Sequence, residues 1–270
     1  MECSDLFERL KTLGLSFDTE ILFEPFSSHA AFWGGFAGIK TFSDYYEAAD
    51  RYARAVALTF AERGVRFHSF DGVLISPFAE IGAGTVIFPN VQIRHGVKVG
   101  ENCVIGVGSV LENCTVGNDC VINATQIYDS VLEDDVRIGP FCHVRPNTHL
   151  CRGVRIGDFV EVKNSTVGRD THASHLTYIG DSDVGERVNF GCGTVTVNYD
   201  GKHKYRTVIG NDVFIGCNSN LVAPVRIEDN AFTAAGSTIT SDVPENALGI
   251  ARARQVNKED WVTTRGPKTR

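Results

Sequence analysis

No apolar run in this sequence approaches the roughly 20 residues that a membrane-spanning helix needs. The opening residues, MECSDLFERL, lack the basic-then-apolar order of a secretory signal. A cytoplasmic protein that does not enter membranes is therefore expected. An excess of positive charge is also missing. The formal net charge is −7, which argues against a nucleic-acid binder, whose footprint is basic. Any phosphorylated ligand then needs a local cluster of cations. None of the eight cysteines forms a C-x-x-C pair, which argues against zinc ribbons and thioredoxin-like sites. A disulfide framework is not expected in a chain of this length without an export signal. The N-terminal part holds no Gly-rich nucleotide loop opening a helix.

What is present is a period. From Ile81 the aliphatic positions step by six through Ile87, Ile93, Val99, Ile105 and Leu111. The series Ile209, Ile215, Leu221, Ile227, Thr233 and Ile239 does the same, and the register between them slips by single residues. Neither a helix nor an ordinary strand repeats every six residues. A short strand plus a tight turn does, and three such units close a triangular coil of about 18 residues with parallel strands stacked between coils. The aliphatic anchor points into the prism; Gly, Asn and Asp serve corners that require positive φ. The fold class is thus all-β, a parallel β-helix of hexapeptide repeats. Cys103, Cys114, Cys120 and Cys142 precede anchors by two and read as small buried hydrophobes. Cys192 and Cys217 follow anchors by two and fall at corners.

Residues 1–72 do not repeat and form a small, mainly helical region. Residues 41–64 read as an amphipathic helix, with Ser43 or Asp44 as cap, an apolar stripe of Tyr45, Tyr52, Val56 and Phe60, and Gly64 as the stop. The segment 23–40, aromatic and Gly-rich, is expected to pack on the helix or on a neighbouring chain. Residues 73–250 carry the coils, and 251–270 form a C-terminal tail.

The period breaks most clearly across VNYDGKHKYRTV (197–208), where Lys202, Lys204 and Arg206 surround an Asp-Gly turn. A basic protruding loop is expected there. Arg145 and Lys163 are one coil apart and should stack into a two-cation patch fit for phosphate. Four histidines invite two readings. His143, His149, His172 and His175 are enough for a zinc-dependent, carbonic-anhydrase-like trimer, provided three converge. A single His suffices for general-base catalysis.

GPFCHVRP (139–146), DFVEVKNSTVG (158–168), SHLTYIGDSDVGERVNFGCGTVTVNYDGKHKYRTVIG (174–210), LVAPV (221–225), AAGSTIT (234–240) and ARARQVNKEDW (251–261) are recognisable. They closely resemble the acetyltransferase domain of the bifunctional N-acetylglucosamine-1-phosphate uridyltransferase/glucosamine-1-phosphate N-acetyltransferase family, from about Phe60 to Trp261. The resemblance implies a left-handed β-helix forming a homotrimer with active sites between subunits. It implies acetyl-CoA as cosubstrate, glucosamine 1-phosphate as acceptor, and no metal for acetyl transfer. His175 matches the catalytic base, with Glu161 expected to orient its imidazole. Arg145, Lys163 and Lys204 match sugar-phosphate ligands, and Tyr178 and Asn189 hold the amino sugar. Asn198, Tyr199, Ala235 and Arg252 match acetyl-CoA positions, with Lys258 near the CoA phosphates. Cys192 stands where the family usually has Ala and Cys217 where it usually has Ser, both on the cosubstrate path. The family's uridyltransferase is not recognised in this sequence, so a separate protein is expected to transfer UMP downstream.

Three other readings stay open: the same chemistry on galactosamine 1-phosphate or a nucleotide-linked amino sugar, the zinc trimer, and a scaffolding β-helix without catalysis.

Overall fold

The computed structural model describes residues 42–266; the segment 23–40 and its expected packing lie outside them. One helix, Phe42–Ala61, precedes a stack of thirty strands of two to four residues. Gly64, at φ 91°, closes the helix as read from the sequence. Val56 and Phe60 are fully buried, and Tyr52 packs against the core. The helix lies on the strand Leu74–Ile75 and so covers the open end of the first coil, as terminal caps do in stacked repeats. No described helix is long and apolar enough to cross a membrane.

The strands form three parallel sheets of 11, 10 and 9 strands. Each successive strand passes to the next sheet, and every third returns to stack on its predecessor. Val104–Ile105, for example, pairs with Val86–Ile87 on one side and Val121–Ile122 on the other. This is the expected parallel β-helix. Its first strand, Arg66–Phe67, already pairs with Val86–Ile87, so the coils begin before residue 73. The anchors form files down the interior. Ile87, Ile105, Ile122, Ile138 and Ile156 are all buried on the first sheet, where Ala173 is followed on the next coil by the larger Phe190.

Asn and Asp supply most of the non-glycine corner residues at positive φ, including Asn147, Asn164, Asp181 and Asn218. Their short polar side chains tolerate the left-handed region. Cys103, Cys114, Cys120 and Cys142 are buried as expected. Their sulfurs face backbone carbonyls, Cys103 at 3.1 Å from Gly117 O and Cys142 at 2.7 Å from Gly157 O. Burial pushes the Cys114 thiol up to about 12. These are packing thiols, buried away from solvent.

Candidate active site

Strand register brings the first group of residues together. His175 ends the strand His172–His175 and pairs with Asp158 on the coil before. His172 pairs with Asn189, so His175 falls opposite Cys192 on the coil after. Pairing of Phe214–Ile215 with Asn189–Phe190 and with Phe232–Thr233 extends the same file to Cys217 and Ala235. Asp158, His175, Cys192, Cys217 and Ala235 thus run down one edge of the prism, one coil apart, at about 4.8 Å per step. His175, Cys217 and Ala235 are exposed and Cys192 is partly so. Arg252 continues the edge, its Cδ lying 3.9 Å from where a Cβ on Gly236 would stand.

The corner beside this edge is unusual. Ala124, Phe141, Phe159 and Leu176 occupy it on successive coils, all at positive φ. Such a conformation disfavours bulky residues and is tolerated only where surroundings enforce it. Phe141 and Phe159 stack at 5.4 Å, and Phe141, Phe159 and Leu176 are each more than half exposed.

The second group lies on the adjoining sheet. Lys163 stacks on Arg145, because His143 pairs with Glu161 and Val144 with Val162. The Arg145 guanidinium donates to Glu161 at 2.9 Å, which holds it further above its usual range. Lys204 comes in from the loop against Lys163. Its contact, together with partial burial and the charges of Lys204 and Arg145, pushes the Lys163 ammonium below the ordinary lysine value. Three cations therefore converge in an acidic protein, an arrangement that an anion relieves.

Tyr178 lies between the two groups. Its ring folds over Gly180, where an added Cβ would sit 2.3 Å from the Tyr178 hydroxyl. Only glycine leaves that space, and Gly180 itself pairs with Lys163. Asn198 donates to the Tyr178 hydroxyl at 3.4 Å and to the buried carboxylate of Asp181. Asn164 donates to the other Asp181 oxygen at 2.5 Å.

The predicted basic loop is a small hairpin. Tyr199 bridges Lys204 in antiparallel fashion, and Asp200 accepts from the backbone N–H groups of His203 and Lys202 at 2.6 and 2.7 Å. Those bonds hold the Asp200 carboxyl below the usual range. Arg206 anchors the base of the loop on Asp183 at 2.5 and 2.9 Å.

Two expectations need correction, the partner of His175 and the convergence of the histidines. Glu161 does not reach His175: it sits on the second sheet, paired with Tyr178 and bonded to Arg145. The carboxylate beside the imidazole is Asp158, whose Oδ2 is 3.9 Å from Nδ1. The coil is one residue shorter here than the assumed eighteen, and that slip moves Asp158 under His175. Asn189 is exposed on the first sheet, away from the face that carries Tyr178 and Lys163. Tyr199 is exposed in the hairpin, its hydroxyl donating to Gly201 O at 2.7 Å. Lys258 stays in the exposed tail, 5.0 Å from the Trp261 ring. The four histidines do not converge, since His143, His149 and His172 lie on three different sheets. Asp158, Gly180 and Asp181 were not singled out from the sequence, although a register drawn with the true coil length finds Asp158.

Three blocks, residues 78–113, 129–164 and 206–241, match the family described as bacterial transferase hexapeptide (six repeats). Over 210 residues, 78% of this chain, the sequence is 50% identical to the "Bifunctional protein GlmU" of Halalkalibacterium halodurans, covering 46% of that protein. Over 228 residues, 84% of this chain, it is 50% identical to the protein of the same name from Caldicellulosiruptor saccharolyticus, covering 49% of it. The chain spans about half the length of these relatives. A solved structure of an Arabidopsis UDP-N-acetylglucosamine acyltransferase aligns over 69% of this chain and 70% of that one, at 16% identity and a TM-score of 0.45.

Proposed function

The chain belongs to the bacterial hexapeptide-repeat transferases and, within them, groups with the acetyltransferase region of the GlmU proteins; from that premise we propose that it moves the acetyl group of acetyl-CoA onto the amine of a phosphorylated amino sugar, glucosamine 1-phosphate. The observation that carries the reading is the pairing, along one face, of three converging cations (Arg145, Lys163, Lys204) with an exposed His–Asp pair at the neighbouring edge. An amino sugar phosphate has an anion at one end and a nucleophile at the other, and it needs both.

In this reading Arg145, Lys163 and Lys204 bind the phosphate, and Tyr178, held over Gly180, lies along the sugar. An ammonium cannot attack a thioester, so His175 takes a proton from the amine, and Asp158 stabilises the imidazolium that results. The amine nitrogen then bonds to the acetyl carbon, and the carbon–sulfur bond breaks as the tetrahedral intermediate collapses. In the GCGT corner the N–H groups of Gly191 and Gly193 are engaged with Ile215 O and Leu176 O. The Cys192 N–H has no protein acceptor among the described residues, and we assign it to the oxyanion. The edge Cys192–Cys217–Ala235, with Arg252 beyond, is the assigned path of the cosubstrate. No covalent enzyme intermediate is needed, because the thioester is already activated.

The site is read as shared between copies of a homotrimer. Asn189 lies on the wrong face to meet Tyr178 of its own chain, and the exposed Phe141–Phe159–Leu176 ladder adjoins the base, as an interface would. The test is mass identification of the product formed from acetyl-CoA and glucosamine 1-phosphate. An N-acetylated sugar phosphate supports the proposal; its absence with this and related phosphorylated amino sugars refutes it.

A further inference from the structure

Away from the His175 edge, a second cluster of ligating side chains stands on the third sheet. His149, in the strand Thr148–Leu150, and Cys151, directly after it, flank the buried anchor Leu150, and both are partly exposed. Glu133 lies on the coil before, its N–H donating to Leu150 O and its position falling opposite Cys151. Gly168 stands opposite Cys151 on the coil after and places no side chain over it.

One donor atom from each of Glu133, His149 and Cys151 lies within 4.8 Å of the other two. Glu133 is already oriented: Oε2 accepts the Arg152 N–H at 2.9 Å, and Oε1 faces His149 Nε2 at 2.8 Å. Each of the three residues is partly exposed, so an ion can enter from solvent and keep a water. Burial and the charges of Glu133 and Glu186 push the free Cys151 thiol up, against Arg169, so the thiolate forms with the ion.

We infer that Glu133, His149 and Cys151 form a binding site for a divalent cation of the zinc class. The donor set selects that class, since a carboxylate, an imidazole and a thiolate together suit a borderline-soft ion and not magnesium or calcium. Bonds of about 2.0–2.3 Å in tetrahedral geometry set the donors roughly 3.3–3.7 Å apart. The His–Glu pair opens slightly to reach this, and the thiol closes by a rotamer adjustment. On binding, the Cys151 thiol loses its proton to solvent, and His149 binds as the neutral imidazole, with Nε2 on the ion and its one N–H on Nδ1. Three protein ligands leave the fourth position to water. The ion would join two coils, and no acetyl-transfer residue takes part.

The test uses the full chain, with Cys3, Cys192 and Cys217 replaced by Ser so that Cys151 is the one thiol outside the buried set. Cobalt(II) is added after removal of metal. One equivalent should produce tetrahedral d–d bands and a thiolate-to-cobalt charge-transfer band, which zinc then displaces. Cys151→Ser should abolish the charge-transfer band, and His149→Ala and Glu133→Gln should each weaken cobalt binding at least tenfold. Zinc should raise the melting temperature of the Cys151-containing protein but not of Cys151→Ser, which must itself retain the parent's circular dichroism. Absence of the charge-transfer band at saturating cobalt, or its survival in Cys151→Ser, overturns the site. The readout is absorption, so either result leaves the acetyl-transfer reading to its own test.

Discussion

Two carboxylates compete for the role of partner to His175, and their contacts separate them. Asp158 faces the imidazole, whereas Glu161 holds Arg145. Asp158→Asn is therefore expected to lower kcat roughly tenfold with KM little changed, the mark of an interaction that matters in the transition state. Glu161→Gln frees Arg145 and should act mainly through KM for the sugar phosphate. Steady-state kinetics on both variants distinguishes the assignments. Lys163 offers a thermodynamic check. Its neighbours push its pKa down in the folded chain, so the unfolded chain binds more protons, and the charged lysine disfavours folding below its folded pKa. That cost fades as pH rises toward the ordinary value of about 10.4. In the absence of ligand, Lys163→Met should unfold at higher urea than wild type at pH 8, and the gap should close by about pH 10.4. Inorganic phosphate should raise the melting temperature of wild type and lose that effect in Lys163→Met.

At the scale of the coil, much was legible because geometry writes itself into the period. Anchors such as Ile105 and Leu111, the corner asparagines and the packed cysteines all follow from a six-residue step. The loop at 197–208 was visible as a break in it, although of its three cations only Lys204 turns toward Lys163, while Arg206 is held by Asp183. What the period hides is coil length. A coil of eighteen would set Gly157 opposite His175, whereas the observed seventeen sets Asp158 there and Glu161 opposite Tyr178, and nothing local to these residues reports the difference. Gly180 was invisible for a different reason: its role is to be absent beneath the Tyr178 ring, and an absence has no sequence signature. Gly180→Ala should displace that ring and raise KM for the sugar phosphate while leaving the fold intact. The apolar corner gives an opposite case. Leu176 holds a left-handed conformation at φ 45°, which costs an L-residue about 1–2 kcal/mol. Leu176→Asn should recover part of that cost, seen as a higher denaturation midpoint.

For the whole molecule, the division of residues between faces has a consequence. His175 and Asn189 both belong to the proposed site, yet Asn189 and Tyr178 look out from different sides of the prism. If one copy completes another's site, His175→Ala and Asn189→Ala proteins, each inactive alone, should regain part of the activity when unfolded and refolded together, because mixed assemblies contain some intact sites. Beneath every such argument lies the claim that this chain is an N-acetyltransferase with His175 as its base. The most direct measurement is release of free CoA thiol from acetyl-CoA, followed with glucosamine 1-phosphate, galactosamine 1-phosphate and unphosphorylated glucosamine. Wild type should release thiol fastest with glucosamine 1-phosphate and scarcely at all with glucosamine, and His175→Ala should lower kcat by about 10²–10⁴. No release by wild type with any phosphorylated amino sugar would contradict the account, and undiminished release by His175→Ala would contradict its base.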